Sequence, residues 1–134
     1  MHPKFDEASK LTEAVIAAAI AVHRMMGPGL LESIYEWCLR MELEERGFRV
    51  ETQASVMVRY KQFEREYPLK FDLLVNGCLL IEVKAVEGVK PIHKAQLLSY
   101  MKLLDLPLGL VINFNSLRLT NGVACMMLPG ANRE

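Results

Sequence analysis

The sequence has little of what a metal-structured or disulfide-linked domain requires. Among its 134 residues there are only three cysteines, an odd number spread widely along the chain: Cys38, Cys78 and Cys125. Because there is no CxxC pair and no Cys/His cluster, neither a zinc ribbon nor a disulfide framework is predicted. Cysteines used in this way fit a reducing compartment, so we expect a cytoplasmic protein.

The sequence also lacks a long hydrophobic run and an excess of charge. Its most apolar segment, residues 14–22, is too short to span a bilayer and has no basic-then-cleavable layout, so we expect no membrane partner. The 16 basic and 16 acidic residues give a formal net charge of zero. A protein that binds nucleic acid through bulk electrostatics should be clearly basic. Only a local basic patch remains compatible with the composition.

The length and the element pattern indicate one domain. Repeats, low-complexity runs and linkers are absent, so residues 1–134 are expected to form a single core, with residues 1–8 as a flexible segment. Hydrophobic periodicity predicts the order α-α-β-β-β-α-β-β, an α/β (α+β) fold with a mixed sheet. The helices are expected from Ser9 or Thr12 to 25, at 31–46 and at 92–104; the strands are expected at 56–60, 65–75, 78–86, 108–114 and 123–128.

Three charged residues interrupt the apolar strands. Asp72 lies within residues 71–75, and Glu82 and Lys84 lie within residues 80–86. Burying such groups costs several kcal/mol unless they are paired or bind a metal. Glu82 and Lys84 are two residues apart on a strand, so they project from the same face. This arrangement suits a carboxylate on a divalent metal with a cation beside the attacking water. The alternative is a solvated Glu/Lys pair on an edge strand.

The loop between these strands tests the metal-site hypothesis. A two-residue turn at Asn76-Gly77, which this dipeptide favours, would direct Asp72 away from Glu82. A three-residue loop, or a bulge, would set Asp72 directly opposite Glu82. A metal site therefore requires the longer loop.

Polar residues on two helices are further candidates. His93, Gln96 and Tyr100 form one stripe of the third helix, where Gln96 could orient Lys84 or a phosphate and Tyr100 could bind substrate. The alternative is a partly exposed helix face. Glu32 begins the second helix with Tyr35 one turn on. Glu32 is either a carboxylate that favours the positive helix end or another acidic group near the metal.

Several motifs together resemble one family. Gly29-x-x-Glu32-x-x-Tyr35 looks like the signature of the GxxExxY family, a branch of the PD-(D/E)xK phosphodiesterase superfamily that includes many nucleases. The segments 72–75, 81–86, 93–100 and 109–114 match that family in order and spacing, so the resemblance covers about residues 10–120. Residues 123–127 depart from it, because they are apolar where the family usually has a basic strand. We therefore expect a buried or subunit-facing edge there.

The resemblance implies a restriction-endonuclease-like core, a mixed sheet flanked by helices. It implies a Mg²⁺ or Mn²⁺ site formed by oxygen ligands, which are Glu32, Asp72, Glu82 and the Val83 carbonyl. Lys84 would position or activate water, and Gln96 and Tyr100 would complete the pocket as in RecB-like nucleases. Tyr35 and His93 are the candidate substrate-binding residues.

Three functions follow as hypotheses. The first is a metal-dependent nuclease or phosphodiesterase, with DNA expected ahead of RNA as its partner. The second is a non-catalytic binding or assembly module in which the charges are internally paired. The third is a small-molecule or nucleotide hydrolase with the same metal chemistry. A homo-oligomer or a protein partner would supply specificity.

Overall fold

The computed structural model describes residues 1–133 and confirms the predicted order of elements. Its helices and strands are α1 Phe5–Met26, α2 Glu32–Glu45, β1 Val50–Tyr60, β2 Phe63–Val75, β3 Leu79–Lys84, α3 Pro91–Leu104, β4 Leu108–Asn113 and β5 Val123–Met127, with a short 3-10 turn at Leu119–Gly122 before β5. Within the described residues, no helix is both long and apolar enough to cross a membrane.

The five strands form one mixed sheet in the order β1-β2-β3-β4-β5. Only β3 and β4 run parallel, and α3 provides the connection between them. α1 and α2 pack on one face of the sheet, where Leu73, Ile81 and Val83 are buried. α3 packs on the other face, where Leu80 and Val111 are buried. The predicted mixed sheet flanked by helices is thus confirmed.

The N-terminal helix starts earlier than expected. α1 begins at Phe5 rather than at Ser9 or Thr12. Asp6 and Glu7 occupy its first turn, where carboxylates favour the positive end of the helix dipole. The His2 amide also donates to the Ala131 carbonyl at 2.8 Å. Residues 1–8 are therefore partly helical and hydrogen-bonded to the body, which differs from the predicted loose segment.

Helical periodicity predicts an apolar side of α3 formed by Ile92, Ala95, Leu98, Met101 and Leu103, and the structure confirms Met101 but not Ile92. Leu97 and Met101 are fully buried, whereas Ile92 is 67% exposed. The reason is the close approach of α3 to β4 at Gly109. A Cβ atom there would lie 2.8 Å from the Met101 sulfur and 3.1 Å from a Leu97 methyl group. These two side chains therefore pack directly on the glycine.

The loop between β2 and β3 has the extra residue that the metal-site hypothesis requires. Asn76 and Gly77 have φ angles of 51° and 64°, as in the tight turn that this dipeptide favours, and the Cys78 amide donates to the Val75 carbonyl at 3.0 Å. Val75 nevertheless pairs with Leu79, so Cys78 is an additional residue in the loop. The longer loop is confirmed, and the dipeptide turn is kept inside it.

A second irregularity occurs in β2 at Asp72. Glu51 of β1 pairs with Leu74, but Gln53 pairs with Lys70, so residues 71–73 face the single residue Thr52. The pairing of β2 with β3 ends beside this bulge, at Leu73 with Ile81. Beyond it, residues 53–70 form a two-stranded extension of β1 and β2, which we call the hairpin arm. Bulges redirect side chains and are frequent beside active sites.

β5 is an edge strand, as its apolar sequence suggested, but it is only partly buried. Ala124 and Met126 pack against the cluster beneath α3, whereas Met127 is 43% exposed. The structure therefore agrees with the predicted edge position and differs from a fully buried strand.

Candidate active site

Asp72 is held at the point where β2 and β3 separate. The last pair between these strands is Leu73 with Ile81, and the same register carried one residue on sets Asp72 opposite Glu82. Beyond that pair, the Val83 amide donates to Asp72 Oδ2 at 2.7 Å instead of to a β2 carbonyl. The carboxylate thus completes the ladder and is fixed beside Glu82.

Glu82 and Lys84 extend from the same face of β3, as their spacing predicted. Glu82 is 5% exposed, although both neighbours in the strand are apolar core residues. Lys84 Nζ lies 3.8 Å from Glu82 Oε2, and its side chain is 17% exposed. The ammonium therefore balances part of the carboxylate's charge while keeping some access to solvent.

Burial and neighbouring carboxylates raise the pKa values of Glu82 and Asp72. Burial, and then the charge of Asp72, raise the pKa of Glu82 to about 7, while Lys84 opposes the shift. Burial also raises the pKa of Asp72, against the hydrogen bond from Val83. The charges of Glu32 add to both effects. Raised carboxyl pKa values within one confined group are frequent at functional sites.

α2 brings two acidic residues to this cluster. Glu32 is its first residue, and Glu36 lies one turn later on the same side. Burial raises the pKa of Glu36, and the charges of Asp72 and then Glu32 raise it further. Sequence reasoning did not identify Glu36 as a site residue, although its position four residues after Glu32 was the available signal.

Tyr35 is a buried core residue, whereas the sequence predicted that it contacts substrate. Its side chain is fully buried and stacks on Phe114 with ring centroids 4.7 Å apart. Its hydroxyl donates to the Gly27 carbonyl and accepts from the Leu30 amide at 3.0 Å. These bonds fix the loop that leads into α2, where Gly29 has a φ of 93°. The tyrosine thereby sets the position of Glu32 without reaching solvent.

The polar residues of α3 lie at the opposite face of the sheet from α2. Gln96 Nε2 donates to the Tyr100 hydroxyl at 3.3 Å on the exposed side of the helix. His93 Nδ1 accepts from the Lys90 amide at 3.1 Å, which caps the start of α3. The first pair therefore presents an amide and a phenol to solvent, while the histidine's observed bond is a helix cap.

Asn113 is a second residue that sequence reasoning did not identify. It ends β4 beside Lys84 and is 3% exposed. Its side-chain amide accepts from the Val86 amide at 3.1 Å and donates to the Val86 carbonyl at 2.8 Å. Asn113 thus fixes the segment that follows Lys84. A lone asparagine within a buried apolar strand was the signal for this role.

The donor set suits a hard divalent cation. Among residues 1–133, no three His, Cys, Asp or Glu side chains lie close enough to hold a metal ion as they stand. Mg²⁺, however, is commonly bound by one or two carboxylates, with waters and substrate phosphates completing its shell. Asp72 and Glu82 supply two oxygen donors whose mutual repulsion a cation would relieve. The residues present therefore fit such an ion.

Comparison with known proteins gives one family. The family model described as the PD-(D/E)XK nuclease superfamily matches residues 9–125. No curated protein and no solved structure matches the chain. The match includes α2, the charged strands and α3, and thus all the candidate site residues.

Proposed function

Because the chain belongs to the PD-(D/E)XK nuclease superfamily, we propose that it is a Mg²⁺- or Mn²⁺-dependent phosphodiesterase that hydrolyses nucleic acid. Nucleases of this superfamily generally depend on a divalent metal. One observation carries the proposal for this chain: the three-residue loop after β2 sets the half-buried Asp72 beside the buried Glu82, with Lys84 Nζ 3.8 Å from the latter.

In this proposal Asp72 and Glu82 hold the metal, with the Val83 carbonyl and Glu32 as the further oxygen donors. The metal supplies charge neutralisation at the phosphate and lowers the pKa of water. Glu32 begins α2, so its carboxylate approaches from a different element than the strand ligands. Glu36 is a fourth acidic group whose charge strengthens the attraction for a cation.

Lys84 is proposed to position the attacking water. Its ammonium is near Glu82 and keeps partial access to solvent, so it can donate a hydrogen bond to a water without leaving the carboxylate. Gln96 and Tyr100 are proposed to bind the phosphate side of the substrate, since their polar groups share one exposed stripe of α3. His93 keeps its helix-capping bond and would contact substrate only through its Nε2.

We expect DNA ahead of RNA as the substrate. We also expect a cytoplasmic location, since the three cysteines are free thiols. A protein partner or a second copy of the chain would supply sequence or structure specificity. The competing proposal is an assembly module in which the carboxylates and Lys84 pair only with each other.

Cleavage of labelled single- and double-stranded DNA with Mn²⁺ tests the activity. Lys84→Met keeps an unbranched side chain of similar length and removes the ammonium. We therefore expect the cleavage rate to fall at least about 100-fold, the typical effect of losing a positioned proton-transfer group. Lys94→Met, on the exposed side of α3, is the matched control and should cleave normally. Equal cleavage by both variants, or undiminished cleavage with a chelator, would contradict the proposal and favour the assembly module or a contaminant.

A further inference from the structure

The hairpin arm has two chemically different faces. Its register is regular from Gln53/Lys70 to Tyr60/Phe63, so opposite residues project to the same side. One face carries Tyr60, Phe63, Arg65 and Tyr67, together with Val56 and Val58, and we call it the aromatic face. The other carries Gln53, Ser55, Met57, Arg59, Glu64, Glu66, Pro68 and Lys70.

The aromatic face is contiguous with the apolar cluster beneath α3 at its base and is exposed to solvent at its tip. At its base, Ala54 and Leu69 pack against the cluster beneath α3, and Val56 is 6% exposed. Towards the tip the rings become accessible: Tyr67 is 42% exposed, Phe63 61% and Tyr60 66%. Three aromatic rings in succession on a two-stranded ribbon therefore remain available for contact.

The charges of the hairpin arm are sorted between its faces. Lys61 Nζ lies 5.3 Å from the centroid of Tyr60, and Arg65 Cζ lies 4.8 Å from that of Tyr67. Both acidic residues of the described arm, Glu64 and Glu66, belong to the other face, where Glu64 pairs with Arg59. The aromatic face thus combines exposed rings with positive charge in a protein whose net charge is zero.

We propose that the aromatic face binds unpaired nucleic acid, with bases stacked on its rings and phosphates held by Lys61 and Arg65. This combination of an aromatic platform and a local cationic groove is how single strands are bound without sequence preference. Paired bases cannot offer their faces to such rings, so the arm selects single-stranded over double-stranded substrate. The inference rests on the proposed function and assigns its substrate class.

The position of the arm suits this role. β2 runs without interruption from Phe63 to the bulge at Asp72, so the rings lie about 17 to 30 Å along the strand from the carboxylates. Ala54 and Leu69 join the same apolar cluster as Leu80, which precedes Glu82 on its face of β3. A strand stacked on the arm can therefore lead towards the candidate active site.

Fluorescence anisotropy with labelled oligothymidylate, in a chelator so that nothing is cleaved, tests the proposal. Phe63→Ala should weaken binding about 5-fold or more, the usual effect of losing one stacking residue. Arg65→Ala should weaken binding by a similar factor, because it removes a phosphate contact. Met57→Ala and Arg59→Ala remove an apolar side chain and a positive charge from the opposite face, and should bind as the wild type does. A duplex of the same length should bind more weakly than the single strand.

Three results would overturn the inference. They are equal weakening by Arg65→Ala and Arg59→Ala, equal binding of duplex and single strand, and the absence of binding by the wild type. Sedimentation of the Phe63→Ala variant checks the other occupant of such a face: a dimer that this change dissociates would assign the face to self-association. Glu82→Ala separates the two proposals, because this variant should bind the single strand normally and cleave nothing. Loss of cleavage with unchanged binding by the arm leaves the inference standing. Intact cleavage by this variant refutes the proposed function alone.

Discussion

Replacing Glu82 by glutamine should stabilise the metal-free protein above neutral pH. The pKa of Glu82 rises from 4.5 to about 7 on folding, because the carboxyl group is buried beside Asp72. The folded state therefore binds more protons than the unfolded state between these values, and the free energy of unfolding falls as the pH rises through this window. Glutamine resembles the protonated acid and does not titrate.

The size of the effect follows from the shift. A difference of about 2.5 pKa units, from 4.5 to about 7, corresponds to about 3 kcal/mol at about 1.4 kcal/mol per unit. Since Glu82 is 5% exposed, solvent screening removes little of this. Relative to the wild type, the free energy of unfolding of the glutamine variant should thus increase by about 3 kcal/mol as the pH is raised from 4.5 to above 7. A smaller slope from Asp72, whose pKa is also raised, should remain in the variant.

Urea unfolding followed by circular dichroism, with a chelator and at a series of pH values, measures this difference. Glu13→Gln, an exposed position on α1, is the matched control and should follow the wild type at every pH. The electrostatic reasoning would be refuted if Glu82→Gln and the wild type differed by the same amount at every pH, or if the variant were the less stable protein above pH 7.

Three substitutions test the packing around the site by urea unfolding. Tyr35→Phe should cost about 1–3 kcal/mol, because it removes the two hydrogen bonds of a fully buried hydroxyl; unchanged stability would contradict its anchoring role. Gly109→Ala should cost about 1–3 kcal/mol by overpacking against Met101, whereas Gly88→Ala, which has open space, should not. Asn113→Ala should cost about 1–3 kcal/mol and reduce cleavage, because it leaves backbone groups beside Lys84 without their partner; normal cleavage would argue against its positioning role.

The strand pattern and the charged cluster could be predicted from the sequence because both depend on local order. Successive side chains of a strand point to opposite faces, so Glu82 and Lys84, two residues apart, share one face whatever lies around the strand. The position of Asp72 could be stated only as a condition on the loop, since the Asn76-Gly77 turn and the extra residue Cys78 occur together. The condition was met because the bulge and the loop are set by pairing across the whole sheet.

Other features depend on contacts between distant segments. α3 has apolar residues around much of its circumference, so its buried side was settled by the contact of Leu97 and Met101 with Gly109. Tyr35 belongs to the same sequence motif as Glu32, yet its side chain lies in the core and its hydroxyl is hydrogen-bonded to the loop before α2. Glu36 joins the carboxylates only because α2 lies near Asp72, a neighbour 36 residues away in the sequence.

Calorimetric titration with Mn²⁺ tests the central claim, that Asp72 and Glu82 form a divalent-metal site, most directly and needs no substrate. The wild type should bind the ion, and Asp72→Ala and Glu82→Ala should each lose that binding while keeping the circular dichroism spectrum of the wild type. Lys84→Met should still bind. Binding that persists in both carboxylate variants, or a wild type that binds no Mn²⁺, would contradict the account.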